Sequence, residues 1–440
     1  MSEVKTSKVE QRLEKLGLWI EKYIAPPLVK VGSQRHIVAI RAALLRVIPL
    51  IIVGSVPLIL TNLPVESWAN FMQPYADSLN TLFAMSFGFM SLYLAFCLGA
   101  ELSKMYKELD ATTVGIITVA CFLITVTPVN LADGVIDVGP FSASGMFAAF
   151  LCAIIVTEVM HLMISRNWTI RMPKQVPQNV AASFSSLVPM AVLLVLFWFL
   201  RIILNFNIYE LLNIVISPLL VISDTWYAVL IAALLLQILW FCGIHGGSFT
   251  IWGVLYPFLL ANMAANAAAA AAGTAIPHIF NEPFVFTWIM IGGTGSTLPL
   301  VIYWWRSKST VLRKVGRISL IPGLFCINET VIFGAPMVLN PLMFIPFVFL
   351  TSVFGAMYGY VLTAIGWVSP AIVATPWTTP PLLQPFISTG GDWRAVVAQA
   401  VLIVLLFIIW IPFGRIWEKR MLIQEQGETA AETASAAITE

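Results

Sequence analysis

A histidine at position 245, in FCGIHGGSFTIWG, and a glutamate at position 329, in FCINETVIFGAPMVLNP, are the side chains whose surroundings point most directly to chemistry. Both stand in apolar stretches, where an ionised Asp, Lys or Arg at mid-bilayer costs on the order of 2.5 to 3.5 kcal/mol, so their presence needs a reason. Both also stand where the backbone is interrupted: Gly243, Gly246 and Gly247 flank the histidine, and Asn328, Gly334 and Pro336 flank the glutamate. Glycine lets the chain bend and lets another group approach closely. An imidazole and a carboxylate converging from two broken segments suit a ligand hydroxyl, which both donates and accepts hydrogen bonds. The same pair can take the proton from a hydroxyl that is about to react. The plainer alternative is that His245 caps a helix end and Glu329 pairs with a buried basic side chain.

Other candidates carry less. His278 and Glu282, in PHIFNEPFVF, have the i, i+4 spacing that places two residues on one helix face. Glu158 and His161 close an apolar run near its basic end, where long side chains reach water cheaply. Carbohydrates present flat apolar faces, and an indole supplies area together with a polar N–H. Trp240, just before the His245 loop, and Trp377, in ATPWTTPPLLQPF, are the candidate platforms, although most membrane tryptophans form interfacial belts. The chain has no GxxxxGK[ST] loop and no soluble stretch long enough to be a phosphocarrier, so any phosphoryl donor must be another protein. The five cysteines stand singly in apolar runs without CxxC spacing, so neither disulfide frame, metal site nor cofactor is expected.

These residues must be held by membrane-spanning helices. Of 440 residues 59% are hydrophobic and only 10% charged, with a mean hydropathy of +0.89. The apolar residues fall in blocks of about twenty, the length at which a helix crosses a ~30 Å hydrocarbon layer. Basic residues cluster only between these blocks, which reports topology and gives no footprint for nucleic acid. Five spans are expected near Ile37–Leu60, Thr81–Ser103, Ala111–Pro128, Phe141–Met163 and Ala181–Leu204. Five more follow: Thr225–Gly243, a crossing through the Asn262–Ala272 region, Phe284–Trp305, Leu342–Ile365 and Val396–Ile411. The segments around His245 and over Ile318–Pro336 are too broken to span and read as two re-entrant hairpins.

The expected fold is therefore all-α: a polytopic, multi-pass membrane protein of about ten transmembrane helices and two re-entrant hairpins, with both termini cytoplasmic. Residues 1–36 read as a cytoplasmic amphipathic helix, 37–207 as a scaffold half of five regular spans, and 208–423 as the working half. Residues 424–440, acidic, alanine-rich and without aromatics, read as a disordered tail.

Five ordered blocks carry a resemblance: PKQVPQNVAASFSSLVP (173–189), GIHGGSFTIWGVLYPFLLAN (243–262), IGGTGSTLPLVI (291–302), INETVIFGAPMVLNP (327–341) and PWTTPPLLQPFISTGGDWRA (376–395). In order and wording the chain resembles the enzyme IIC membrane subunit of the lactose, cellobiose and N,N'-diacetylchitobiose branch of the bacterial sugar phosphotransferase system. The resemblance implies a homodimer in the inner membrane, joined through the first half, whose second half moves a β-linked disaccharide in an elevator-like step. It places the family's sugar-site histidine on His245 with Gly246 beside it, its glutamate on Glu329 next to Asn328, and its stacking tryptophans on Trp240 and Trp377. It further implies that the glutamate and histidine hold the sugar 6-hydroxyl while a soluble enzyme IIB, charged through an upstream IIA, donates phosphate from a phosphocysteine. Thr330 departs from the family's usual Asn-Glu-Pro, and Glu282 stands in an Asn-Glu-Pro of its own, so Glu282 remains the alternative essential acid. An ion-coupled secondary transporter is the competing class, since broken helices and intramembrane acids serve it too.

Overall fold

The computed structural model describes residues 33–62, 66–127, 137–170, 178–335, 337–338 and 340–439, together with Lys15, Lys22, Tyr23 and Lys30. The amphipathic helix expected over residues 1–36 thus lies almost wholly outside the described residues. Among these the chain is helical, without a strand. In chain order the main helices are α1 (Arg35–Asn62), α2 (Glu66–Met72), α3 (Ala76–Ser86), α4 (Met90–Ser103), α5 (Ala111–Val126), α6 (Met146–Ser165), α7 (Gln178–Trp198) and α8 (Ile208–Ser223). There follow α9 (Trp226–Phe241), α10 (Tyr256–Ala271), α11 (Leu298–Trp304), α12 (Thr310–Leu324), α13 (Glu329–Gly334), α14 (Ser352–Ala364), α15 (Leu383–Ser388) and α16 (Trp393–Thr439). Among the described residues seven helical runs are each long and apolar enough to cross a membrane.

Side chains that satisfy the first free N–H groups set several helix starts. Asp110 accepts from Thr113 N–H at 2.7 Å to open α5, and Asn340 accepts from Leu342 N–H at 3.1 Å before the run Pro341–Ala364. Wide π-helical turns lead into two helices, Gly247–Leu255 into α10 and Ile345–Thr351 into α14. Such turns free backbone groups inside a helix and are frequent where a site is built.

The chain divides into two compact units: Val31–Ser223 with Gly253–Pro277, and Asp224–Trp252 with His278–Glu440. The division falls after Ser223, where the sequence suggested 207, and α10 groups with the first unit. In that first unit α4, α5 and α6 pack on one another around Phe122, Phe141, Cys121 and Cys152. Close approach relies on Gly99, where a Cβ would stand 2.4 Å from the Thr118 hydroxyl. Near the inner ends expected from the sequence, Glu158 accepts from Tyr106 Oη at 2.6 Å and meets His36 Nε2 at 2.8 Å, while His161 pairs with Glu108.

The second unit corrects the expectation of a continuous span over Phe284–Trp305. Helix stops at Ile289 and resumes only at Leu298, because Gly292, Gly293 and Gly295 adopt φ of +72°, +96° and +74°. Backbone carbonyls freed within this buried stretch need hydrogen-bond partners, and side chains supply them. Gln399 Nε2 donates to Thr287 O at 2.7 Å, Cys326 Sγ to Met290 O at 3.4 Å and Asn328 Nδ2 to Thr294 O at 2.7 Å. Thr351 Oγ1 donates to Gly295 O at 2.7 Å and Trp410 Nε1 to Ser296 O at 3.1 Å. Three separate parts of the unit, α16, the turn before α13 and the segment before α14, thereby hold this irregular stretch.

Two more expectations change. The stretch read as a single broken hairpin over Ile318–Pro336 begins earlier, as α12 from Thr310, and turns at Phe325–Asn328 into α13. The tail expected to be disordered over 424–440 continues α16 as helix to Thr439; its Ala, Glu and Gln are strong helix formers once a helix is already running.

Candidate functional site

His245 sits in the turn between α9 and the Gly247–Leu255 segment. The chain reverses there because Gly243 has φ +79° and because Gly246 has no side chain: a Cβ at Gly246 would stand 2.2 Å from Leu236 O and 2.9 Å from Trp240 Cδ1. The His245 ring lies against the Trp240 indole with centroids 4.4 Å apart, and its Nδ1 accepts the Ser248 N–H at 3.0 Å. A backbone N–H can only donate, so Nδ1 offers a lone pair and the neutral ring carries its proton on Nε2. That Nε2 faces Glu329, 4.0 Å from Oε1.

Glu329 is the first residue of α13, and the preceding turn aims it. Asn328 is buried, and its amide donates to Thr294 O and to Thr297 Oγ1 at 2.8 Å, so its donors are spent on the protein. Thr330, where the sequence departs from the usual proline, shares a 2.7 Å hydrogen bond with Ser319 Oγ and ties α13 to α12. The His245 and Glu329 side chains are about half exposed, at 52% and 46%, whereas Glu329 Oε2 and Trp240 Nε1 are buried atoms without a protein partner. A hydroxyl oxygen about 2.7 Å from both His245 Nε2 and Glu329 Oε1 would see them at an angle of roughly 95°, close to tetrahedral. One hydroxyl can therefore accept from the imidazole and donate to the carboxylate together.

The sequence model of one family, phosphotransferase system, EIIC, matches residues 41–350, well over half of the chain. The chain belongs to the EIIC family. It is 35% identical over 430 residues to the putative permease IIC component YwbA of Bacillus subtilis, covering 92% of this chain and 96% of that protein. It is 33% identical over 443 residues to a cellobiose-specific EIIC component of Geobacillus stearothermophilus, covering 95% and 98%. Among solved structures the transporter ChbC, the IIC component of an N,N'-diacetylchitobiose-specific phosphotransferase system, matches with a TM-score of 0.88 at 33% identity, over 93% of this chain and 99% of that one. The chain is thus a multi-pass membrane protein of the phosphotransferase system.

Within this EIIC the remaining candidates take distinct places. Trp240 is 4% exposed and covered by the His245 ring, whereas Trp377 is 40% exposed. Trp377 stands at the end of an aromatic row, with ring centroids 6.4 Å from Phe286, itself 5.9 Å from Trp252. Trp252 and Phe286 were not singled out from the sequence; the signal was an aromatic on each side of the broken segments. The segment holding Trp377 is itself folded inward, with Ile372 and Val373 N–H donating to Ser388 O at 2.7 and 3.0 Å. Residues His278 and Glu282 do not form the helical pair their spacing suggested. The stretch before Glu282 is not helical, and His278 Nδ1 instead meets Asp224 Oδ2 at 3.3 Å, because Asp224 gathers the Ile279 and Phe280 N–H groups. Glu282 is buried at 5% exposure. Missed as well were Thr294 and Thr297, although the run GGTGST inside an apolar block signals a break.

Proposed function

We propose that this EIIC carries a β-linked disaccharide across the bacterial inner membrane and presents its 6-hydroxyl to a separate EIIB. The observation that carries the proposal is the 4.0 Å gap between His245 Nε2 and Glu329 Oε1, sized for a single hydroxyl. His245 donates to the hydroxyl oxygen and Glu329 accepts its proton, so the oxygen gains electron density as it attacks. The oxygen then bonds to the phosphorus of a phosphocysteine on EIIB, the S–P bond breaks, the thiolate leaves with its electron pair and Glu329 holds the proton. Sugar phosphate cannot return through a site built for a neutral hydroxyl. The names of the cellobiose-specific relative and of the diacetylchitobiose-specific ChbC favour cellobiose or diacetylchitobiose as cargo. Trp377 is the exposed ring for an apolar sugar face, and Asn328 serves the site by aiming Glu329. In this reading the protein is a homodimer, the first unit is the scaffold and the second moves with the sugar in an elevator-type cycle.

The test is equilibrium binding of cellobiose, diacetylchitobiose and lactose to purified protein, repeated for His245→Ala and Glu329→Gln. Both variants are expected to lose binding, and vesicles are expected to accumulate sugar only as phosphate when EIIB is supplied. Parent-like binding by both variants overturns the site. Ion-driven uptake of unmodified sugar without EIIB would identify an ion-coupled carrier instead.

A further inference from the structure

The proposed step uses Glu329 but none of the carboxylates on the far half of α16. Two of these hold the start of the helix that leads to Glu329. Glu418 accepts from Tyr303 Oη at 2.8 Å, from Ser307 Oγ at 2.6 Å and from Lys308 N–H at 2.6 Å. About two turns further on, Glu425 accepts from Ser309 Oγ at 2.7 Å, Thr310 N–H at 3.1 Å and Val311 N–H at 2.9 Å. Ser309 Oγ in turn accepts from Leu312 N–H at 3.2 Å. The first three N–H groups of α12 are all closed in this way, two of them by a carboxylate from another helix placed at the positive end of the α12 dipole.

From that grip one helix leads to the site. α12 is a single helix over Thr310–Leu324, and a Cβ at Gly316 would lie 2.6 Å from Trp305 N, so its middle is pressed against the chain after α11. Its far end joins the turn locked by Asn328, and Ser319 binds Thr330 beside Glu329. The opposite face of α12 does not fix its register, since Ile318 and Ile321 are 66% and 69% exposed.

We propose that Glu418 and Glu425 are positioning residues for the sugar site, setting the register of α12 and through it the place of the Glu329 carboxylate opposite His245. This rests on the site reading above. Both carboxylates lie on α16, and Glu425 stands inside the segment that the sequence presented as a tail.

The experiment measures cellobiose and diacetylchitobiose affinity, well below the melting transition, for the full-length protein and for Glu425→Gln, Glu425→Asp and the double variant Glu418→Gln/Glu425→Gln. Chains ending after Ile423 and after Gln426 are compared with them. Glu425→Gln is expected to weaken binding roughly two- to fivefold and the double variant more, from the loss of a charge at a helix N-terminus. Glu425→Asp recovers at least half of the loss; the chain ending after Gln426 binds like the parent and the chain ending after Ile423 does not. A purely architectural role would lower the melting temperature and leave affinity unchanged, and that result overturns the proposal. If Glu329→Gln loses binding while the double variant binds like the parent, the brace fails and the site stands. Parent-like binding by Glu329→Gln removes both.

Discussion

Replacing Asn328 by leucine separates two roles for this side chain. As a sugar ligand, its loss would weaken binding and leave the protein's stability untouched. In the structure its amide instead donates at 2.7 Å to Thr294 O and at 2.8 Å to Thr297 Oγ1, both in the buried loop between Ile289 and Leu298. Leucine has nearly the same size and no donor, so Thr294 O is left buried and unanswered at a cost of about 1 to 3 kcal/mol. Thr297 Oγ1 keeps its own bond to Gly292 O at 3.1 Å and adds little. If that whole cost falls on the position that presents Glu329, apparent sugar affinity drops by up to about 5- to 150-fold. The melting temperature falls as well, because the same bond holds the irregular loop in the folded state. The assay pairs equilibrium binding of labelled cellobiose with thermal unfolding of the purified protein in detergent. Weakened binding with an unchanged melting temperature would refute the reasoning and return Asn328 to the ligand shell; no change in either would remove it from the site.

Three further outcomes follow from the geometry. Trp377→Ala removes an exposed ring face; about 60 Å² of contact at about 25 cal/mol per Å² gives about 1.5 kcal/mol, or about tenfold weaker sugar binding by titration. Gly293→Ala lowers both melting temperature and affinity, since its Cβ would stand 2.4 Å from Asn328 Cγ at φ +96°; Gly366→Ala, at φ +73° with nothing within 4 Å, costs only backbone strain and leaves affinity unchanged. Asp392, in the turn before α16, is pushed up by burial but is held below its ordinary value by Arg394 and the Ser369 N–H, which outweigh it. Its contribution to stability is complete above the ordinary carboxylate range and is lost as pH falls through the depressed value, so the melting difference between parent and Asp392→Asn is flat from pH 7 to about 5 and shrinks only below about pH 4.

Membrane residence and family were legible in the amino-acid sequence because both are one-dimensional signals. Apolar blocks of helical crossing length separated by basic clusters require a multi-pass helical protein, whatever the blocks pack against. Ordered text such as GIHGGSFTIWG and INETVIFGAPMVLNP carries the EIIC relationship. The polar residues worth asking about, His245 and Glu329, were also visible, since an ionisable group in an apolar run stands out by cost alone.

The tertiary structure decided what each of these faces. The 4.0 Å gap between residues 84 positions apart depends on two separate turns meeting, and local pattern contains no such distance. Asn328 and Glu329 are adjacent in the chain, yet one is buried and the other half exposed, because Thr294 and Thr297 take the Asn328 amide on one side of the turn. His278 meets Asp224 because its segment is not helical, so the i, i+4 spacing to Glu282 does not place the two on one helix face. Composition made Glu425 part of a disordered tail, whereas the fold set it at the free N–H groups of α12. Residue type fixes what a side chain can donate or accept; only the packed chain fixes which partner is within 3 Å of it.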